Sequence, residues 1–377
     1  MNFSSRLPRA MEPNALTLLL EAKRRAGEPV LDLTESNPTR AGIEYPAGFF
    51  SALADPLAAI YEPEPFGLPA ARERIAAEYD AGGLENVAMT ASTSEAYSWL
   101  FKLLCDPGDE ILIPRPSYPL FDYLAALESI SVRHYGLFYD HGAWCIDFHT
   151  IERALHARTR AVVVVNPNNP TGHFIARHEL RELRAMCSDR GVAMISDEVF
   201  RDYAIAPRAE SVMTLGGSDS ALTFTLHGLS KAVGLPQMKL AWMVVSGERA
   251  VVNAAMPRLE MIADTYLSAA TPVQCALPSL LALRAPIQTQ IVARLKENLQ
   301  YLRSSGLRTL TVEAGWYATV TSGRGDDFAE VLLREQNVLA QPGYFYDFED
   351  SGSLVLSLLT RPEVFREGVS RLRSELG

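Results

Sequence analysis

A strand–helix–strand unit in the middle of the chain constrains the fold more than any other feature. Residues 161–165 form a β-branched run and residues 192–196 an apolar run, each with the length of a buried strand. Between them, residues 176–190 place leucines and other apolar residues at helical spacing, and Gly191 is a typical helix stop. Two strands joined by a helix in this way predict a parallel pair within a helix-covered sheet.

The same alternation of strands and helices extends along the chain and predicts an α/β fold. Three more strands are expected at residues 110–113, 222–226 and 240–245. Together with the central unit they indicate a large domain with a mostly parallel sheet of the seven-stranded type, flanked by helices.

Residues after about 280 predict a smaller α+β domain. Two long helical patterns and two short strand patterns occur there, at 285–305, 309–320, 354–358 and 362–376. The helical pattern at 14–26 is expected to pack against them, which makes this domain discontinuous. Because 377 residues exceed the size of a single hydrophobic core, we expect a large domain over 45–275 and a small domain over 1–44 and 276–377.

The composition restricts the partners of the chain. A formal net charge of −10 argues against a nucleic-acid surface and favours a small-molecule partner. The apolar stretch near the N-terminus is far shorter than the roughly 18 residues of a membrane span, so we expect neither export nor membrane insertion. Four scattered cysteines without metal-site spacing predict reduced thiols, a cytoplasmic location and no metal site.

Three polar residues follow predicted strands at intervals of about one strand–helix unit. Asn169 comes after the 161–165 run, Asp197 closes the 192–196 run, and Lys231 lies just beyond the 222–226 run. Since ligands of open parallel sheets bind beyond the carboxyl ends of the strands, we expect these three side chains to converge on one pocket.

The chemical types of these three residues suit a pyridine aldehyde cofactor. An amine holds the aldehyde as an imine, a carboxylate keeps the ring nitrogen protonated, and an amide binds the ring hydroxyl. Lys231 is one of only five lysines, and arginine cannot form an imine with an aldehyde. Lys231, Asp197 and Asn169 are therefore predicted to fill these roles, with Lys231 also acting as the general base at the substrate α-carbon.

At these residues the chain resembles the class I and II aminotransferases, which are fold-type I pyridoxal-phosphate enzymes. The shared motifs are Asn166-Pro-Asn-Asn-Pro-Thr-Gly172, Asp197-Glu-Val-Phe200 and Leu229-Ser-Lys231 followed by Gly234-Leu-Pro236. The resemblance covers residues 31–373. It implies an aspartate-aminotransferase-like fold, pyridoxal 5'-phosphate as cofactor, a homodimer, and transfer of an amino group between an α-amino acid and a 2-keto acid.

The resemblance also implies further cofactor contacts. Ser92, Thr93 and Ser94 lie in a turn that resembles the family's phosphate cradle, although such a turn can equally be a plain helix N-cap. Tyr118 matches the aromatic residue that stacks on the pyridine ring. Lys239 stands where the family has a phosphate-binding arginine, and Tyr61 resembles the tyrosine that reaches the cofactor phosphate of the partner subunit.

Three further positions, besides Lys239, depart from the family pattern. Phe200 replaces a tyrosine whose hydroxyl contacts the cofactor, Gly228 replaces a serine, and Val355 stands where the family has the arginine that binds the substrate carboxylate. Candidate substrate-binding residues in place of that arginine are Asn37, Arg40 and Arg361.

These departures keep a second reaction class open. A lyase, decarboxylase, cyclase or oxidase on the same fold would use the same first steps. A cofactor-binding regulator is disfavoured because no DNA-reading module is visible. A nucleotide-binding α/β protein is disfavoured because the chain lacks the glycine-rich phosphate motifs that such proteins carry after a strand.

Overall fold

The computed structural model describes residues 2–8, 11–217, 221–350 and 352–376. Its strands are β1 (Leu31–Asp32), β2 (Val87–Thr90), β3 (Glu110–Arg115), β4 (Ser131–Asp140), β5 (Ala143–Ile146), β6 (Thr159–Val165), β7 (Ala193–Asp197), β8 (Thr223–Gly228), β9 (Ala241–Ser246), β10 (Tyr317–Thr321), β11 (Val338–Leu339), β12 (Gln341–Pro342) and β13 (Ser353–Ser357).

The α-helices lie between these strands and before and after them. They are α1 (Ala15–Arg25), α2 (Pro69–Glu78), α3 (Thr93–Leu104), α4 (Phe121–Leu127), α5 (Phe148–Ala154), α6 (Arg177–Arg190), α7 (Leu229–Ala232), α8 (Arg249–Tyr266), α9 (Thr271–Cys275), α10 (Leu277–Ala282), α11 (Arg284–Ser304), α12 (Phe328–Gln336) and α13 (Pro362–Leu376).

An eight-stranded sheet forms the centre of the larger part. Its strand order is β2-β9-β8-β7-β6-β3-β4-β5, in which β9 and β5 run antiparallel to their neighbours and the remaining strands run parallel to one another. The prediction of a mostly parallel, helix-flanked sheet is confirmed. The hairpin β4–β5 ends one side of the sheet, and its two turn residues, His141 and Gly142, both have positive φ, as a tight two-residue hairpin turn requires.

Helices cover both faces of this sheet. The central strands β6, β7 and β8 are buried almost throughout, with Phe224 and Leu226 packing on one face against α3 and α8, and Val162 and Val164 packing on the other against α6. Burial of both faces explains why the 161–165 run is apolar at every position instead of alternating.

Helices α1, α11, α12 and α13 pack around a small antiparallel sheet of order β10-β13-β12. One hydrophobic core joins Leu16 of α1 with residues of α11, α12 and α13. Hydrogen bonds from Leu33 N to Leu339 O (2.9 Å) and from Ser357 N to Leu33 O (2.7 Å) tie the N-terminal segment to this core. The strand expected at 309–320 is shorter than predicted, because Thr309 makes only an isolated bridge to Val320.

Candidate active site

Backbone pairing brings two distant segments together at Ala241. This residue opens β9, which lies between β2 and β8, and it pairs with Thr90 at the end of β2 and with Gly228 at the end of β8. The chain that follows each of these strands therefore leaves the sheet at the same edge. Ser92 lies two residues beyond Thr90 and Lys231 three residues beyond Gly228, which places the serine turn and the lysine side by side.

Lys231 lies in the short helix α7, directly after β8. Its Nζ is 4.3 Å from the ring centroid of Trp316 and 5.1 Å from that of Phe200. Loss of hydration in this aromatic setting lowers the pKa of the amine to about 8, and the nearby charge of Asp197 opposes the shift. The hydroxyl of Tyr203 donates to Lys231 O at 2.5 Å and holds the backbone of this turn in place.

Asp197 ends β7, one strand away from β8. It accepts hydrogen bonds from Tyr97 Oη at 3.1 Å and from Val199 N at 3.2 Å. Burial raises the pKa of this carboxyl to about 6, while the two hydrogen bonds and Lys231 hold it down. At neutral pH the carboxylate is therefore largely ionised despite its burial.

Asn169 lies in the loop after β6, on the other side of β7. The side chain is 8% exposed, and its Oδ1 has no hydrogen-bond partner among the described residues. The end of the same loop is held near Trp316, because Ala314 N donates to Gly172 O at 2.8 Å. A buried amide with an unused polar atom is typical of a group that awaits a ligand.

The serine turn opens helix α3. Ser92 is its N-cap, and its Oγ accepts from Glu95 N at 3.2 Å, so the N-cap role considered for this turn is present. The N–H groups of Thr93 and Ser94 have no acceptor among the described residues, which leaves them available to an anion.

Lys239 stands at the same edge, two residues before Ala241. It is exposed, it has the left-handed conformation (φ 48°), and it forms no ion pair within the described residues.

Tyr118 is 37% exposed and packs edge-on against Phe121 with ring centroids 6.1 Å apart. Burial and the neighbouring Asp197 raise the pKa of the Tyr118 hydroxyl to about 12. Its neighbours therefore include the carboxylate at the end of β7.

The geometry explains one departure from the family pattern. A Cβ atom at Gly228 would lie 3.1 Å from the Cβ of Ala241 and 3.3 Å from Leu240 O. Contacts this short are tighter than ordinary packing, so a serine where β8 meets β9 would require Ala241 or Leu240 to shift by a few tenths of an ångström. Phe200, by contrast, is an ordinary buried aromatic, packed edge-on against Trp316 at 5.4 Å and Tyr317 at 6.2 Å.

The remaining predicted site residues are spread around this centre. Val355 lies in the middle of β13 and pairs with Thr319 and Gln341. Asn37 uses its Oδ1 locally, accepting from Thr39 N at 3.1 Å and from Thr39 Oγ1 at 2.8 Å.

Three further residues are exposed. Arg40 and Arg361 lie on the surface, the latter beside Gly42, and Tyr61 is 76% exposed. The structure of the single chain brings neither arginine into contact with Lys231.

Tyr97 was missed in the sequence, where Trp316 could equally belong to an aromatic wall of the substrate pocket or to the core. Tyr97 donates to Asp197, and Trp316 lies under the Lys231 amine. Tyr97 sits one turn into α3, after the serine turn, so its position in the helix was the available signal. Trp316 follows Gly315 and comes directly before β10, and nothing in that pattern distinguishes it from a core residue.

An amine, a carboxylate and an amide at adjacent strand ends, beside the N-terminus of α3, are the groups that an enzyme binding a phosphorylated pyridine aldehyde needs. The described residues fit this cofactor, because the amine has a lowered pKa, the amide has an unused buried atom, and the helix has free N–H groups.

Comparison with known proteins agrees with this description. The model of the family "Aminotransferase class I and II" matches residues 39–372, and the chain belongs to that family. The glutamate-pyruvate aminotransferase AlaA of Escherichia coli (strain K12) is 30% identical over 275 residues, which cover 70% of this chain and 67% of the relative. Tyrosine aminotransferase of Mus musculus is 28% identical over 329 residues, covering 81% of this chain and 71% of the relative.

Solved structures share the whole fold. Alanine aminotransferase from Pyrococcus furiosus has a TM-score of 0.88 at 24% identity, covering 100% of this chain and 99% of that one. Aspartate aminotransferase from Thermotoga maritima has a TM-score of 0.84 at 23% identity, covering 99% and 100%. The fold is therefore aspartate-aminotransferase-like. As a member of this family, the protein is a pyridoxal 5'-phosphate-dependent enzyme that transfers an amino group between an α-amino acid and a 2-keto acid.

Proposed function

We propose that Lys231 is the amine that binds the cofactor aldehyde and then carries the proton in the transfer. The observation that carries this proposal is the position of its Nζ, which lies over Trp316 near the ionised Asp197 with a pKa lowered to about 8. An amine that is partly neutral at physiological pH can attack an aldehyde and can later remove a proton from the substrate α-carbon.

The residues around Lys231 receive complementary roles. Asp197 would hold the protonated ring nitrogen, Asn169 would form a hydrogen bond with the ring hydroxyl, and Tyr118 would stack on the ring. When bound, pyridoxal 5'-phosphate supplies an electron sink for the electron pair left on the substrate carbon. Asp197 supports that function through its ionised state, which Tyr97 and the Val199 N–H stabilise.

The phosphate would lie at the N-terminus of α3. Ser92, Thr93 and Ser94 supply hydroxyls and two free N–H groups there, and Lys239 supplies a point charge from the adjoining strand edge. Tyr61 would reach the phosphate from the partner subunit of a homodimer. Its 76% exposure in the single chain, next to the exposed Leu57 and Ile60, supports this assignment.

The proposal includes the organisation of the protein. The shared core of α1 with α11, α12 and α13 supports a small domain over 1–44 and 276–377, and the eight-stranded sheet supports a large domain over 45–275. In the described residues no helix is long and apolar enough to cross a membrane. The four unpaired cysteines support a cytoplasmic location.

Cofactor binding provides the direct test. Addition of pyridoxal phosphate to the purified protein should give a visible absorption band, and borohydride should then fix the cofactor on the peptide that contains Lys231. The Lys231→Ala variant should lose the fixation, whereas Lys296→Ala, which removes an exposed lysine of α11, should retain it. Fixation on another lysine would refute the assignment.

A half-reaction tests the type of chemistry. One amino acid at a time should convert the holoenzyme to its amine form with an equimolar amount of keto acid. The names of the relatives make alanine, glutamate and tyrosine the first donors to test. Release of ammonia, carbon dioxide or peroxide in place of amine transfer would contradict the transaminase assignment.

A further inference from the structure

One face of the small sheet is turned towards Lys231. Tyr317 and Thr319 alternate with Ala318 and Val320 along β10, and the latter two belong to the hydrophobic core. Side chains of successive residues point to opposite faces of a strand. The Tyr317 ring lies 6.2 Å from that of Phe200, whose own ring is 5.1 Å from Lys231 Nζ. Tyr317 and Thr319 therefore share the face on the side of the proposed site.

The pairing of strands extends this face sideways. Thr319 of β10 and Gln341 of β12 both pair with Val355 of β13, and residues paired in antiparallel strands share a face. The hydroxyl of Tyr346 donates to Gln341 Oε1, and Ser117 N donates to Tyr346 O at 3.0 Å. The wall formed by Tyr317, Thr319, Val355, Gln341, Tyr346 and Ser117 thus runs from the small sheet to the segment that carries Tyr118.

This wall contains no cationic side chain. The arginine nearest to it in sequence is Arg115, two residues before Ser117. Its Nε donates to Asp347 O at 3.1 Å, and its Nη1 lies 3.9 Å from Glu349 Oε1, so its guanidinium is engaged by the loop before β13. Among the described residues, the only cation that contacts the rings beside the wall is Lys231 itself.

Two hydroxyl groups of the wall are buried without a partner. Thr319 is 2% exposed and Ser117 4% exposed, and neither side-chain oxygen makes a hydrogen bond within the described residues. Leaving a buried hydroxyl unbonded costs about 1–3 kcal/mol. A cost of this kind at two positions on one wall indicates groups that bond to a ligand.

We propose that the group bonded to the reacting carbon of the substrate, a carboxylate in an amino acid, is held on this wall by uncharged hydrogen-bonding groups, chiefly Thr319 Oγ1. A hydroxyl can donate to a carboxylate or to the carbonyl of a carboxamide, and it can also accept from the amide N–H. A guanidinium, by contrast, strongly favours the carboxylate. The enzyme therefore accepts an α-amino amide nearly as well as the α-amino acid.

The test compares L-alanine with L-alaninamide as donors to the holoenzyme. This inference rests on the proposed role of Lys231, because that amine defines the side of the wall that faces the substrate. Loss of the visible band is followed in single turnovers. The rates are corrected for the fraction of each donor whose amino group is unprotonated. We expect kcat/KM values for the two donors within about tenfold of each other, whereas a preference for alanine above about 100-fold would overturn the inference.

Two isosteric variants give an independent readout on the same face. Thr319→Val removes the proposed contact, and it should raise KM for both donors about tenfold while cofactor fixation and thermal stability stay close to wild type. Thr321→Val is the matched control, since Thr321 lies two pairs further along β10, on the same face, and its Oγ1 is also unpartnered. It should leave both KM values unchanged, and equal effects of the two variants would refute the assignment of Thr319.

The outcomes also separate this inference from the proposed function. If the cofactor is not fixed on Lys231, or no amino acid is converted in the half-reaction, the proposed function fails. If alanine is converted and alaninamide is not, the proposed function stands and the uncharged wall alone is refuted. That second outcome would indicate a cation that reaches the substrate from the partner subunit.

Discussion

At the scale of single residues, the chemistry of the site depends on how burial acts on two charges of opposite sign. Burial raises the pKa of Asp197 to about 6 and lowers that of Lys231 to about 8. Between these values the carboxylate is mostly ionised while a growing fraction of the amine is neutral. The hydrogen bond from Tyr97 is one reason why the pKa of Asp197 does not rise further.

Removal of the hydrogen bond from Tyr97 to Asp197 should shift the acid side of the pH profile of kcat/KM. In Tyr97→Phe the ionised form of Asp197 loses a donor, so its pKa should rise above the present value of about 6. Because the ionised carboxylate is the active form, the fall of kcat/KM on the acid side should begin at higher pH. The pH profile of kcat/KM measures this shift.

Tyr135→Phe is the control for that prediction. Tyr135 is also a fully buried tyrosine, but its hydroxyl donates to Val163 O at 2.9 Å and not to Asp197. Like Tyr97→Phe, Tyr135→Phe should lower the free energy of unfolding by about 1 kcal/mol. It should leave the acid side of the pH profile of kcat/KM unchanged. An unchanged profile for Tyr97→Phe would show that its hydroxyl does not support the carboxylate.

The lowered pKa of Lys231 also predicts a pH dependence of stability in the cofactor-free protein. Between about 8 and 10.5 the unfolded chain binds more protons at this lysine than the folded chain, so the free energy of unfolding rises with pH in that window. Lys231→Met removes this contribution. The variant should be more stable than wild type at pH 7, and the difference should shrink as the pH rises towards 10.

Urea unfolding at a series of pH values measures the difference between the two proteins. Lys296→Met serves as the control, because Lys296 is exposed on α11 and its replacement should give a difference that does not depend on pH. A Lys231→Met curve parallel to wild type across the window would mean that the amine is not desolvated in the folded state.

At the scale of elements, the contact between β8 and β9 shows what the sequence could and could not predict. Apolar runs ending in polar residues were sufficient to place Asn169, Asp197 and Lys231 at adjacent strand ends. The sequence could not show that Gly228 packs against Ala241. That contact exists because β9 lies between β2 and β8, and it therefore depends on the strand order of the sheet.

The aromatic residues of the site were hidden for a similar reason. Tyr97 and Trp316 are fully buried, and in a sequence a buried aromatic at helix or strand spacing is indistinguishable from core. Their roles come from elements that meet only in the folded chain, α3 with the end of β7 and β10 with α7. Periodicity identifies which face of an element is buried but not which other element covers it.

The packing of β8 against β9 predicts the effect of restoring the serine of the family pattern. In Gly228→Ser the new Cβ would meet the Cβ of Ala241 at 3.1 Å and Leu240 O at 3.3 Å, so the two strands must separate. We expect a loss of about 1–3 kcal/mol in the free energy of unfolding, as for other overpacked sites. Chemical denaturation of the holoenzyme measures it.

A second substitution tests the cause of that loss. Ala241→Gly removes one of the two short contacts, so the double variant should recover part of the stability lost by Gly228→Ser. Ala241→Gly alone should be destabilising, because glycine loses more backbone conformational entropy on folding than alanine. Full additivity of the two losses would show that the serine acts elsewhere than at this contact.

At the scale of the whole molecule, one segment carries apolar side chains that stay exposed in the single chain. The segment from Phe50 to Tyr61 exposes several large apolar side chains, with Leu57 63% and Ile60 53% exposed, and it carries the tyrosine assigned to the partner's phosphate. Exposed apolar side chains in one segment are typical of an interaction surface. The proposed homodimer would cover this segment and complete each site with Tyr61 from the other chain.

Subunit mixing should reveal such a shared site. Tyr61→Ala should weaken binding of the cofactor phosphate in a homodimer, and Lys231→Ala should abolish activity in a homodimer. A heterodimer of the two variants would contain one site with both Lys231 and a partner's Tyr61 intact. Unfolding and refolding the two variants together should therefore restore tight cofactor binding and activity in about a quarter of all sites, the share set by random pairing of subunits.

The matched mixture is the double variant Tyr61→Ala/Lys231→Ala refolded with wild type, in which every heterodimer lacks a complete site. If the first mixture shows no more activity than its separate components, although sedimentation shows dimers, Tyr61 serves the site of its own chain or no site at all.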